Sequence, residues 1–120
     1  QWRRGEASGR VEYEYNGDGG IGVGDTVTVT YAPPPSLFPA GSDIFYLGGW
    51  NGWDGETDPM AVPLAPCAGG RHRCTITVPN FARVVDFCFS DGLRFDTNGG
   101  AYFHMALDRV KVLGEDGAVR

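Results

Sequence analysis

The sequence predicts an all-β protein, an immunoglobulin-like antiparallel β-sandwich of about seven to eight short strands. Three observations carry that expectation. The chain holds 19 glycines and 8 prolines, a content that implies many turns and little helix. Runs such as VEYEY and TVTVTY alternate side chains at period two, as half-buried strands do. No window sustains a 3.6-residue apolar period, and no internal repeat recurs at a fixed spacing.

The elements follow in order. Residues 1–10 are polar and read as frayed or linker-like. VEYEY, 11–15, reads as a strand, and NGDGGIGVGD, 16–25, as a glycine-rich loop. That loop lacks the Gly-Lys-Ser/Thr ending of a phosphate cradle and no helical pattern follows it. TVTVTY, 26–31, is the clearest strand, with Val27, Val29 and Tyr31 on one face and threonines on the other. The proline-rich stretch APPPSLFPAGS, 32–42, lacks donors for a central strand and reads as a crossover. DIFYLGGW, 43–50, reads as a buried strand and GETDPMAVPLAP, 55–66, as irregular. RCTITVP, RVVDFCFSD and AYFHMAL read as further strands, and RVKVL, 109–113, extends the last of them or pairs nearby. The expected organisation is an N-terminal extension over 1–25 with room for one strand, a module over 26–113, and a tail over 114–120. The length fits one domain with a modest core. The start at Gln1 suggests a piece of a longer protein.

Charge narrows the partners. The net charge is −5, and the 10 Lys and Arg are scattered. Without a basic stripe, a nucleic-acid backbone or an anionic membrane surface is disfavoured, and a neutral ligand fits better. No apolar run approaches a membrane span. The three cysteines, Cys67, Cys74 and Cys88, are an odd number and read as free thiols of a reducing compartment. The spacing of Cys67 and Cys74 across AGGRHR leaves one bridge geometrically open, and Cys88 reads as a small core residue.

Chemistry-bearing residues are sparse. His72 and His104 with the cysteines show no zinc spacing, and Asp54, Glu56 and Asp58 lack the rest of a calcium loop, so no metal and no cofactor is expected. Carboxylates such as Asp86, Asp91 and Asp96 could in principle serve glycoside hydrolysis. A small sandwich offers little room for a deep cleft, which argues against catalysis.

The informative stretch is GGWNGWDGETDPM, 48–60. Trp50 and Trp53 lie three residues apart among Asn51, glycines and acids, with no aliphatic neighbour before Met60. Trp50, directly after a strand, is expected to cap the core, and Trp53 to be exposed. An indole left in water forfeits about 1.5–3 kcal/mol of burial, which points to a ligand with an apolar face. A sugar has such a face in its axial C–H groups. A second cluster, FDTNGG, sets Phe95 beside Asp96, Thr97 and Asn98. By itself that cluster reads as an Asx-type turn; beside the first, it suggests a shared binding face.

Together VTVTYAPP, YLGGWNGW, PM, TITVP, VDFCFSDG and FDTNGGAYFHM resemble, in order, the starch-binding carbohydrate-binding modules of families 25 and 53. The latter occur in plant and algal starch synthase III. The resemblance spans residues 26–108. It implies non-catalytic binding of starch or maltooligosaccharides by aromatic stacking, which would hold the other domains of a parent protein on the glucan in a chloroplast. It also implies an isolated module that is monomeric. Trp53 matches the stacking tryptophan and Asn51 the asparagine before it. Phe95 stands where a second stacking tryptophan is usual, followed by Asp96 and Asn98 at polar positions, and Trp50 replaces a common tyrosine. Leu47 replaces the usual histidine and Thr97 an asparagine. A structural or protein-interaction sandwich is the competing class.

Overall fold

The computed structural model describes residues 3–15, 21–22, 24–50, 60–78 and 84–107. Among them are ten strands and one short 3-10 turn. The strands are β1 (Arg3–Ser8), β2 (Val11–Tyr15), β3 (Thr26–Tyr31), β4 (Phe45–Trp50), β5 (Met60–Pro63), β6 (Ala65–Pro66), β7 (His72–Thr77), β8 (Val84–Ser90), β9 (Phe95–Asp96) and β10 (Phe103–Ala106). One sheet runs β1-β2-β3-β7-β6, and the other runs β10-β8-β4-β5 with β9 added beside β8. Every pairing is antiparallel. The expected β-sandwich is therefore present, with more strands than the sequence suggested.

Alternation builds the core. Val27, Val29 and Tyr31 of β3 point inward, as do Cys74 and Ile76 of β7. From the other sheet come Tyr46 of β4, Val85, Phe87 and Phe89 of β8, and Phe103 and Met105 of β10. The two layers meet where Tyr31 stacks on Phe89, ring centroids 3.7 Å apart and nearly parallel. Phe87 and Phe103 extend the aromatic layer, with centroids 5.7 Å apart. Tyr46 packs on Phe87 at 5.2 Å. Its ring also lies over Gly48, where a methyl group would overlap the phenol. The first glycine of the GGW run is thus explained by the aromatic two residues before it.

Two stretches differ from the sequence reading. Residues 3–8, read as frayed, form β1, because an edge strand needs only the hydrogen-bond ladder and tolerates polar side chains. Tyr13 of β2 covers Gly5 of β1 opposite it. The segment read as irregular contains β5 and β6. In β5, Met60 and Val62 pack against the core while Ala61 and Pro63 face out, and Pro63 is tolerated because β5 is an edge strand. His72 is the first residue of β7.

The three thiols are unbridged. Burial pushes the Cys74 thiol up to about 12 and the Cys88 thiol up to about 11, the latter with help from the Asp96 charge. Cys67 begins the turn between β6 and β7, where its N–H donates to Arg71 O at 2.8 Å. The predicted strand at 109–113 and the tail at 114–120 lie outside the described residues.

Candidate functional site: the outer face of the second sheet

The register of the second sheet defines the site. On β8, Val85, Phe87 and Phe89 face the core, so Asp86, Cys88 and Ser90 face outward. They are nevertheless buried. Across β8 on one side lie Phe45, Leu47 and Gly49 of β4, opposite Ser90, Cys88 and Asp86 respectively. On the other edge of β8, β9 places Phe95 opposite Ser90, and β10 places His104 opposite Asp86. The outer face is thus a strip of short side chains on β8, flanked by Phe45 and Leu47 on the β4 side and by Phe95 and His104 on the other. Phe95 and His104 stand four β8 residues apart, about 13 Å along the strand.

The ends of the strip differ. At one end, Phe95, Phe45 and Pro63 lie in one row across β9, β8, β4 and β5. Phe95 is 54% exposed, and Leu93, in the preceding turn, is 83% exposed. They are the large apolar side chains that the described residues leave most open to water. At the other end, His104 Nδ1 lies 2.5 Å from Asp86 Oδ1 and its Nε2 lies 2.7 Å from Ala101 O. The bracketing residues Trp50 and Met60 lie at this same end, since Trp50 pairs with Val85 and Met60 with Gly48. Asn51 and Trp53 fall between them, outside the described residues. For Trp50 the structure gives a backbone position as the last residue of β4.

Phe95 and Asp96 face opposite ways. Asp96 pairs with Phe89, a core residue, and is 5% exposed. Its carboxylate accepts from Tyr31 Oη at 2.6 Å, from Asn98 N at 3.1 Å and from both terminal nitrogens of Arg10, Nη2 at 3.3 Å. Burial opposes its charge. The hydrogen bonds from Arg10, Tyr31 and the Asn98 N–H, with the Arg10 charge, outweigh that, so the carboxyl titrates below its usual range. The same cluster pushes the Tyr31 hydroxyl up, chiefly by burial and then by its bond to Asp96. Asp96 therefore ties the two sheets together from the inside.

Asn98 sits at φ +54°, in the left-handed region that asparagine tolerates. Its N–H closes the Asx turn that the sequence allowed, and its side-chain amide donates to Tyr102 O at 3.2 Å. The turn over 97–102 is closed further by Tyr102 N donating to Thr97 O at 2.7 Å. The neighbouring turn over 90–94 is fixed by Asp91, whose carboxylate accepts from the N–H groups of Leu93 and Arg94 at 2.9 and 2.7 Å. Those bonds, the Arg94 N–H first, lower its titration. Sequence reasoning missed Phe45 and Leu93 on this face. Phe45 was legible from the alternation of Ile44 and Tyr46 into the core; Leu93 was legible as an aliphatic side chain inside a polar turn.

Among the described residues no group of three or more His, Cys, Asp or Glu is placed to hold a metal ion, and no helix is long and apolar enough to cross a membrane. A small all-β sandwich that presents an exposed aromatic on a sheet face has the form of a binding module. Residues 14–87 match the starch/carbohydrate-binding module of family 53, and the chain belongs to that family. It is 32% identical over 90 residues to soluble starch synthase 3, chloroplastic/amyloplastic, of Solanum tuberosum, which covers 71% of the chain and 7% of that protein. It is 31% identical over 86 residues to an alpha-amylase of Clostridium acetobutylicum, covering 71% of the chain and 11% of the relative. Starch synthase 3 of Arabidopsis thaliana is 29% identical over 91 residues, 71% of the chain and 9% of the relative. The chain thus spans about a tenth or less of each relative's length. No solved structure matches it.

Proposed function

We propose that the chain binds starch and related α-1,4-glucans without catalysis, through the outer face of its second sheet. Phe95 would take one sugar face, and Trp50, at the end of β4, with Asn51 and Trp53 of the connection that follows, would complete the site. Asn98 shapes the turn beside Phe95. Asp96 serves from beneath by fixing that turn. The observation that carries this reading is Phe95, a half-exposed aromatic ring on the outer sheet face, in one row with Phe45. Leaving such a ring in water forgoes part of the roughly 1.5–3 kcal/mol that burial supplies, and stacking on a pyranose would recover it. Hydrogen bonds to sugar hydroxyls add about 0.5–1.5 kcal/mol each, because those hydroxyls are already solvated.

A glycosidase acid needs a carboxyl held above its ordinary range. The carboxyls of Asp91 and Asp96 are both shifted the other way, which suits neither of them to that acid role. The parent would be a starch-active enzyme of the synthase or amylase kind, and the module would hold it on the glucan. Its place would be a plastid if the parent resembles the plant relatives. Weak single-site affinity is sufficient where further modules act in the same chain.

The exposure of Leu93 beside Phe95 also suits a protein-docking face, so the test has two arms. Granular starch pull-down and titration with maltoheptaose are compared for the parent sequence, Trp53→Ala and Phe95→Ala. Both variants should lose most binding while keeping their unfolding midpoints. Binding that persists in both variants, or that soluble maltoheptaose does not compete, would overturn the proposal in favour of another surface or a protein partner.

A further inference from the structure

We infer that Arg10 is a positioning residue for the glucan face, so that the N-terminal hairpin is a working part of the site. This rests on the reading of Phe95 as a sugar-contacting ring. Arg10 lies ahead of residue 14, where the family match begins, and Phe95 lies beyond residue 87, where it ends. The fold brings these two outlying segments together.

The strand that carries Phe95 has two residues, Phe95 and Asp96, paired with Ser90 and Phe89. So short a ladder does little to fix the ring direction, because each residue adds about one hydrogen bond to the hold. The stronger hold is on Asp96, the next residue along. Arg10 grips both carboxylate oxygens, Nη1 on Oδ2 and Nη2 on Oδ1. Arg10 is itself anchored at three points. Its N–H donates to Ser8 Oγ at 3.1 Å, its carbonyl accepts from Ala32 N at 2.8 Å, and its guanidinium lies 5.5 Å from the Phe103 ring centroid. The β1–β2 turn and the residue after β3 hold the Arg10 backbone, while β9 and β10 meet its side chain. Arginine suits the task because its planar fork engages both oxygens at once. Neighbouring residues of a strand point to opposite faces, so clamping Asp96 on the inner face sets the outward direction of Phe95.

A double-mutant cycle on maltoheptaose affinity tests this in the full 120-residue chain. Arg10→Met keeps the apolar stem and removes the fork. It should weaken binding about fivefold at temperatures well below its unfolding midpoint. Arg10→Lys should restore part of the loss. In a Phe95→Ala background, Arg10→Met should change affinity by less than about twofold, because its effect passes through the ring. If Phe95→Ala weakens binding and Arg10→Met does not, or if the Arg10 effect persists without Phe95, Arg10 does not position the ring. If Phe95→Ala itself leaves affinity unchanged, the reading of the glucan face fails instead. Should Arg10→Met not fold, the same cycle run with Arg10→Lys gives the same discrimination.

Discussion

Two core tyrosines make opposite predictions for one chemical change. Tyr31 and Tyr46 are both fully buried, and both rings stack on phenylalanines of β8. Tyr31 Oη donates to the Asp96 carboxylate at 2.6 Å. Tyr46 Oη has no hydrogen-bond partner among the described residues. Replacing tyrosine by phenylalanine keeps each ring contact and deletes only the hydroxyl. A hydrogen bond to a charged group contributes about 1.5–3 kcal/mol. Asp96 would keep Arg10 and the Asn98 N–H, so Tyr31→Phe should cost about 2 kcal/mol. At Tyr46 the hydroxyl was desolvated on folding with no partner among the described residues, and Tyr46→Phe should be neutral or gain about 1 kcal/mol. For a domain of this size each kcal/mol moves the midpoint by about 4 °C, so the variants should differ by roughly 10 °C. Urea unfolding followed by tryptophan fluorescence, with calorimetry for the midpoints, measures both. A Tyr31→Phe variant as stable as the parent sequence would refute the assignment of Asp96 as the inter-sheet tie, and a Tyr46→Phe variant destabilised by more than about 1 kcal/mol would refute the unpartnered state of the Tyr46 hydroxyl.

Three further outcomes follow from the same geometry. Gly48→Ala should cost about 1–3 kcal/mol, read from urea midpoints, because the added methyl meets a Tyr46 ring that the core holds in place. The Asp96 carboxyl is lowered in the folded state, so its contribution is fully present above the unfolded value near ~3.9 and is lost as pH falls through the folded value. Acid unfolding of Asp96→Asn should accordingly show a shallower dependence below about pH 4. Thiol labelling at neutral pH should modify Cys67 in the native state, whereas Cys74 and Cys88, buried with thiols pushed up to about 12 and about 11, should react only on unfolding.

The parts of the fold legible in the sequence are those that bury one face. Val27, Val29 and Tyr31, or Phe87 and Phe89, announce their strands because period-two alternation is the imprint of a half-buried sheet. The strands β1 and β5 left no such imprint. The first has no apolar face to bury, and the second contains Pro63, which only an edge position allows. The aromatic character of the site was legible, because Phe95 sits in a polar turn where a core ring would not. Its inner half was not. Nothing local in RFDTNGG says that Asp96 meets an arginine 86 residues earlier in the chain. Long-range ion pairs leave no periodicity, and an isolated arginine in a polar stretch looks like any solvated one.

The pairing of Phe95 with Asp96 has a consequence for how the face tolerates change. In a two-residue strand, one step of register reverses which side chain faces out. A slip here would turn the Phe95 ring toward the core and the Asp96 carboxylate toward the ligand. The ladder to Ser90 and Phe89 is too short to forbid that alone. The partly buried ion pair opposes it, because moving Asp96 outward would leave the Arg10 charge without its partner and the buried Tyr31 hydroxyl without its acceptor. Removing one partner of such a pair costs more than forming the pair gains. The pair therefore holds the register as well as contributing stability. The asymmetry accounts for an acidic residue directly beside an aromatic ring that is held open to water.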